Sequence, residues 1–123
     1  GLRRDYMDNA NHEICLLLQV ENRAGMAALD DILAVDGVDG IFVGPADLAA
    51  DMGHPGDTLA PAVVAAIDGA LERIDTAGIA TGILFTDPER ARAYAAKGVD
   101  FLAVGSDVGV LRGGLAGLRV HFD

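Results

Sequence analysis

Along nearly the whole chain, short apolar blocks alternate with segments whose apolar residues recur every three or four positions. Cys15 to Glu21 (CLLLQVE) is apolar until its end, the pattern of a strand covered on both faces. From Ala24 to Val35, the residues Ala28, Leu29, Ile32 and Leu33 fall at helical spacing, with Asp30 and Asp31 on the other face. The Gly-containing turn Asp36 to Gly40 leads into a second apolar run, Ile41 to Val43, and then into a Gly- and Pro-rich loop. Val63, Ile67, Leu71 and Ile74 form one stripe of a helix that Gly78 ends. Ile83 to Phe85 is a third strand core. Asp87-Pro88-Glu89 then supplies an N-cap, a first-turn proline and a first-turn acid. Lys97-Gly98 marks a helix C-terminus, Phe101 to Val104 a fourth strand, and Val108 to Leu118 a last helix weakened by glycines.

Four βα units of this kind predict an α/β fold in which helices cover a parallel sheet. Two architectures satisfy the pattern: a small, open, doubly wound sheet, or part of a (β/α)₈ barrel. A complete barrel takes about 250 residues. Four units in a single 123-residue domain make half of one. The opening Gly1-Leu2-Arg3-Arg4-Asp5-Tyr6 reads as coming from the middle of a larger protein. Half a barrel is the preferred expectation.

Composition narrows the function. Hydrophobic residues make up 51% of the chain, enough for a core, yet no block approaches the ~18 apolar residues of a membrane span. With 9 Lys+Arg against 19 Asp+Glu, the net charge is −10, which leaves no basic face for a nucleic-acid backbone. Cys15 is the only cysteine, so an intrachain disulfide is excluded and a reducing, cytoplasmic setting is expected.

The polar residues collect where each strand ends. Gln19 and Glu21 close the first strand, Asp47 follows the second, Thr86 and Asp87 the third, and Ser106 and Asp107 the fourth. Parallel α/β folds assemble their active sites at that end. Gln19 and Glu21 are two apart and share a face, while Val20 points to the other. Glu21 is either a carboxylate facing the barrel axis or a first-turn acid of the next helix. Asp47, in Gly44-Pro45-Ala46-Asp47-Leu48, is either an N-cap or a ligand. If the two strands are neighbours they lie ~4.8 Å apart. Two carboxylates there, without His or Cys, suit a hard cation such as Mg²⁺ or Mn²⁺ that keeps water and substrate oxygens as its other ligands. A Schiff-base mechanism would need a buried lysine of low pKa. The single lysine, Lys97, falls at a helix end, where capping accounts for it.

Several stretches taken together resemble the HpcH/HpaI aldolase family. They are Asp5-Tyr6-Met7, Asn9-Ala10-Asn11, Glu13-Ile14-Cys15, Gln19-Val20-Glu21, Asp30 to Gly44 (DDILAVDGVDGIFVG), Gly44 to Leu48 (GPADL), Met52 to Gly56 (MGHPG), Gly82-Ile83-Leu84 and Val104-Gly105-Ser106-Asp107. The likeness runs from about Asp5 to Asp107 and corresponds to strands five to eight, the C-terminal half of a TIM barrel. It implies a class II, divalent-metal-dependent aldolase (Mg²⁺, Mn²⁺ or Co²⁺) that cleaves a 4-hydroxy-2-oxo acid to pyruvate and an aldehyde, working as a homo-oligomer. By the same resemblance Glu21 and Asp47 are the metal ligands, and Gln19 contacts pyruvate. The backbone amides of Ala46 and Asp47 hold its carboxylate, and Leu84 lines the pocket for the aldehyde.

The family's general base, a histidine with an acidic partner, and its enolate-stabilising arginine belong to the first half of the barrel. No catalytic residue is therefore expected in this half, and the chain alone is expected to be inactive. His12, His54 and His121 do not match the missing base. Ser106 and Asp107 are expected to cap the last helix, and the Met52–Asp57 loop is either a lid or a structural turn. Two alternatives stand beside the aldolase: a non-catalytic half-barrel assembly module, and a related lyase acting on a CoA thioester.

Overall fold

The computed structural model describes residues 4–122; Gly1-Leu2-Arg3 at the opening lies outside them. Its centre is a four-stranded, wholly parallel sheet in the sequential order β1 (Leu17–Val20), β2 (Gly40–Val43), β3 (Ala80–Leu84) and β4 (Phe101–Ala103). Sequential order without reversal is how barrel strands are arranged; a doubly wound sheet reverses at a switch point. β1 and β4 form the two edges.

Between β2 and β3 run α4 (Pro45–Asp51) and α5 (Pro61–Thr76); α6 (Pro88–Ala96) joins β3 to β4, and α7 (Asp107–Arg119) follows β4. The stripe Val63, Ile67, Leu71 and Ile74 of α5 is buried against Ile41, Val43 and Ile83 of the sheet, together with Leu29 and Leu48. Gly78, at φ 73°, turns the chain out of α5. Asp87 caps α6 by accepting the Arg90 N–H at 2.9 Å, and Ser106 caps α7 by accepting the Gly109 N–H at 3.1 Å.

Three features depart from the sequence reading. A helix, α1 (Tyr6–Glu13), precedes β1 and contains His12; it has no buried residue, so no apolar stripe announces it. The helix expected over 24–35 is two short ones, α2 (Arg23–Ala27) and α3 (Leu29–Leu33), which break at Ala28. The segment after Val43, read as loop, enters α4 at once. Pro45 occupies its first turn, where a missing N–H costs nothing, and Gly44 is its N-cap. Asp47 is consequently a first-turn residue of α4 and not its cap.

The starts of the strands are fastened by a repeated device. Residues 37–44 (GVDGIFVG) and 98–105 (GVDFLAVG) match in pattern, and Gly37 and Gly98 adopt the same left-handed conformation, φ 88° and 90°. In each, the aspartate just before the strand reaches back to the preceding strand. Asp39 Oδ2 accepts the Leu16 N–H at 2.6 Å. Asp100 Oδ2 accepts the Thr81 N–H at 2.8 Å and the Thr81 hydroxyl at 3.0 Å. These bonds, the Thr81 N–H foremost, hold the Asp100 carboxyl below the usual carboxylate range.

The side of the sheet away from α5 is less covered. Leu17 and Phe101 are each about half exposed. α7 buries no residue: Val110, Leu111, Leu115 and Leu118 all face solvent.

Candidate active site

The register of β1 decides where its last residues point. Gln19 pairs with Phe42 and Val20 with Val43. Val20 and Val43 are buried in the helix-covered core, so Gln19 and Glu21 turn to the opposite, open side. Just past the strand, Asn22 caps α2 by accepting the Gly25 N–H at 2.7 Å. Glu21 is thus held between a strand end and a capped helix start. The Gln19 side-chain amide donates a hydrogen bond to Glu21 Oε2.

β2 brings up the second element. Gly44 N–H donates to Val20 O at 3.0 Å, which seats the start of α4 directly on the end of β1. Gly44 is buried, and the Glu21 and Gln19 side chains lie against it: a methyl group there would stand 2.8 Å from Glu21 Cβ and Oε2 and 2.9 Å from Gln19 Nε2. Asp47 lies in the first turn of the helix that Gly44 opens. The far end of α4 is tied to the same region, because Asp51 Oδ2 accepts Arg23 N–H at 2.8 Å and Arg23 Nε–H at 3.0 Å. The Arg23 backbone N–H, then its guanidinium, keep the Asp51 carboxyl below its ordinary value.

These elements border a cleft of about 410 Å³ at the carboxyl ends of β1, β2 and β3. Gln19, Gly44, Pro45, Ala46 and Asp47 form one side, and Leu84, Phe85 and Thr86 the other. Gln19, Ala46, Asp47 and Leu84 therefore meet in one place. Glu21 joins them through its bond to Gln19. Among the described residues no three His, Cys, Asp or Glu side chains gather as a metal cage. The first backbone bond of α4 runs from Leu48 N–H to Gly44 O, which leaves the N–H groups of Ala46 and Asp47 ahead of the helical ladder.

Phe42 and Thr58 also line the cleft and were not named as site residues from the sequence. Phe42 was recoverable, since strand alternation places it on the face opposite Val43. Thr58 was not. It arrives from the loop after α4, where Arg90 Nη1–H donates to its carbonyl at 3.4 Å while the guanidinium lies 5.2 Å above the Phe85 ring. None of the three histidines reaches the cleft lining. A second hollow, of about 260 Å³, lies at the amino ends of the strands, but Lys97 there is paired with Asp68 and Thr81 with Asp100. Lys97 is thereby placed away from any carbonyl chemistry at the cleft.

Residues 1–113 match the family model HpcH/HpaI aldolase/citrate lyase. The chain belongs to the HpcH/HpaI aldolase/citrate lyase family. It is similar to a hydroxypyruvate/pyruvate aldolase of Roseovarius nubinhibens, 59% identical over 87% of this chain and 42% of that protein. A 4-hydroxy-2-oxo-heptane-1,7-dioate aldolase of Klebsiella pneumoniae is 47% identical over 96% of this chain and 44% of its own length. Among solved structures, an HpcH/HpaI family protein from Burkholderia cenocepacia superposes with a TM-score of 0.89 at 40% identity. That match covers the whole of this chain and 48% of the other. The chain spans less than half the length of these HpcH/HpaI relatives. The open sheet agrees with that: four parallel strands in barrel order are a part of the family's barrel.

Proposed function

We propose that this chain carries the carboxylate half of a divalent-metal-dependent aldolase site, which in the whole protein cleaves a 4-hydroxy-2-oxo acid to pyruvate and an aldehyde. One observation carries the reading: Glu21, bonded to Gln19, lies against Gly44, which opens the helix whose first turn holds Asp47, and Gln19, Gly44 and Asp47 line one cleft. An all-oxygen pair at the ends of adjacent strands fits Mg²⁺, Mn²⁺ or Co²⁺, with water and a 2-oxo acid completing the coordination. Bound there, the metal would supply Lewis acidity to the substrate's 2-oxo group.

The chain's own residues do the rest. Gln19 orients Glu21 through the bond it donates and presents its amide to the cleft. Ala46 and Asp47 turn their backbone N–H groups toward a carboxylate. Leu84, half-buried opposite them, excludes water from the side where the aldehyde portion would lie. A proton-transfer group is not among these residues, and the histidine base and arginine of the family are assigned to the remainder of the barrel. The uncovered apolar side at Leu17 and Phe101 supports completion of the barrel by that remainder and association into oligomers. The acidic surface and lone free cysteine support a cytoplasmic setting.

The test has two parts. The 123-residue chain should bind Mn²⁺, seen as enhanced water-proton relaxation, and both Glu21→Gln and Asp47→Asn should lose that binding. Pyruvate release should be absent from the chain alone and appear, metal-dependent, when an N-terminal half-barrel is added. Mn²⁺ binding that survives both substitutions would sink the assignment.

A further inference from the structure

We infer that Gly44 is a positioning residue for the Glu21 carboxylate: the side chain it lacks is the space in which Glu21 and Gln19 are held together. This rests on the metal reading above and adds a residue that has no donor atom of its own.

Glycine at this position is not explained by its backbone. Gly44 has φ −94° and ψ 94°, a conformation open to any residue, unlike the positive φ of Gly37, Gly53, Gly56, Gly78 and Gly98. What requires glycine is proximity. A Cβ would come within 2.8 Å of Glu21 Cβ, 2.8 Å of Glu21 Oε2 and 2.9 Å of Gln19 Nε2, distances at which something must move. The backbone cannot easily do so. Gly44 N–H is bonded to Val20 O, Gly44 O accepts the Leu48 N–H, and Pro45 follows with fixed φ. Strand β2, immediately before, has both its neighbours paired. The β1 side must yield instead: Glu21 Cβ moves only with its own backbone, and the carboxylate oxygen and the amide that bonds it are displaced with it.

The same contact therefore fixes two things. It holds Glu21 Oε2 at the foot of α4, the helix whose first turn contains Asp47. It also keeps the Gln19 amide occupied in the absence of any ligand, so that Gln19 enters the cleft already oriented. A methyl at 44 would separate the pair and move the carboxylate off this position.

Three proteins test the inference: wild type, Glu21→Gln and Gly44→Ala. Each is titrated with Mn²⁺ by water-proton relaxation, and the wild type and Gly44→Ala also with Mg²⁺ by NMR of the glutamine-labelled Gln19 side-chain amide. Gln19 is the only glutamine in both of these proteins, so its signals are unambiguous there. The wild type should bind, Glu21→Gln should not, and Gly44→Ala should retain its backbone spectrum while binding Mn²⁺ at least tenfold more weakly, with shifted Gln19 amide signals. If wild type binds, Glu21→Gln does not, and Gly44→Ala matches wild type, the inference is overturned and the metal reading stands. If the wild type itself binds nothing, the metal reading fails and the inference goes with it. Should Gly44→Ala not fold, the wild-type protein still decides: nuclear Overhauser contacts from Gly44 Hα to the Gln19 amide and Glu21 Hβ are required, and their absence refutes the proposed packing.

Discussion

Raising the pH should unfasten α6 from α5 at one phenol. Tyr94 is 5% exposed, its ring is stacked on Phe85 at 4.8 Å between centroids, and its hydroxyl donates to Asp68 Oδ1 at 2.9 Å. Lys97 Nζ donates to the same oxygen at 2.8 Å and lies 4.5 Å above the ring. Burial, and then the bond to Asp68, push the phenol from 10.0 up to about 12. In that interval the unfolded chain has released the proton and the folded chain has kept it, so stability falls as pH rises through it. Two units correspond to about 2.7 kcal/mol as an upper bound. Because the Asp68 side chain is 40% exposed and water reaches the pair, the realised loss should be nearer ~1–2 kcal/mol. Urea unfolding of wild type and Tyr94→Phe across this range measures it. Near neutral pH the variant should be the less stable by ~1 kcal/mol, for want of the hydrogen bond. Toward pH ~12 the wild type should lose that advantage and fall level with the variant or below it. A gap that stays constant from neutral to high pH would show that the phenol is not held protonated by its surroundings, and the argument would fail.

Other consequences are equally open to measurement. Ile67 is fully buried in the α5 stripe, so Ile67→Ala should cost ~2–5 kcal/mol in chemical denaturation; a loss under ~1 kcal/mol would mean that α5 is not seated on the sheet. Asp100 is held ionised by Thr81, so its contribution is present at neutral pH and lost only as pH falls below the usual carboxylate range. Asp100→Asn should thus be less stable than wild type at neutral pH, and the difference should close on acidification; a difference that widens in acid would contradict the bond. Light scattering at micromolar concentration should find the isolated chain associated, since Leu17, Phe101 and the apolar residues of α7 are uncovered; a clean monomer would mean that these surfaces do not drive assembly.

What could be read from the sequence was whatever burial writes as a pattern. The α5 stripe from Val63 to Ile74, the cap at Asp87, the turn at Gly78 and the shared face of Gln19 and Glu21 each follow from a period or a local hydrogen bond, and all are present. Elements that bury little left no such trace. α1 has no buried residue to set a period, and α4 hid behind Gly44-Pro45, which signal a turn as readily as a helix start. Gln19, Ala46, Asp47 and Leu84, named from motifs, line one cleft. Thr58 was out of reach, because its place depends on a tertiary contact with Arg90, 32 positions away. The role of Gly44 lay in its distance to Glu21, a quantity that no spacing along the chain contains.

The aspartate fastenings at Leu16–Asp39 and Thr81–Asp100 sit at one end of the strands, and the cleft opens at the other. That separation bears on how freely the chain can be rewritten. Mutational load placed on Ala46, Thr58 and Thr86 falls on cleft walls outside the strands, so a library there explores chemistry while the sheet keeps its fastenings. The same load at the amino ends would fall on the bonds that fasten the strands and would cost stability. A scaffold that fastens its strands at one end and opens its cleft at the other can change what the cleft accepts without loosening the sheet.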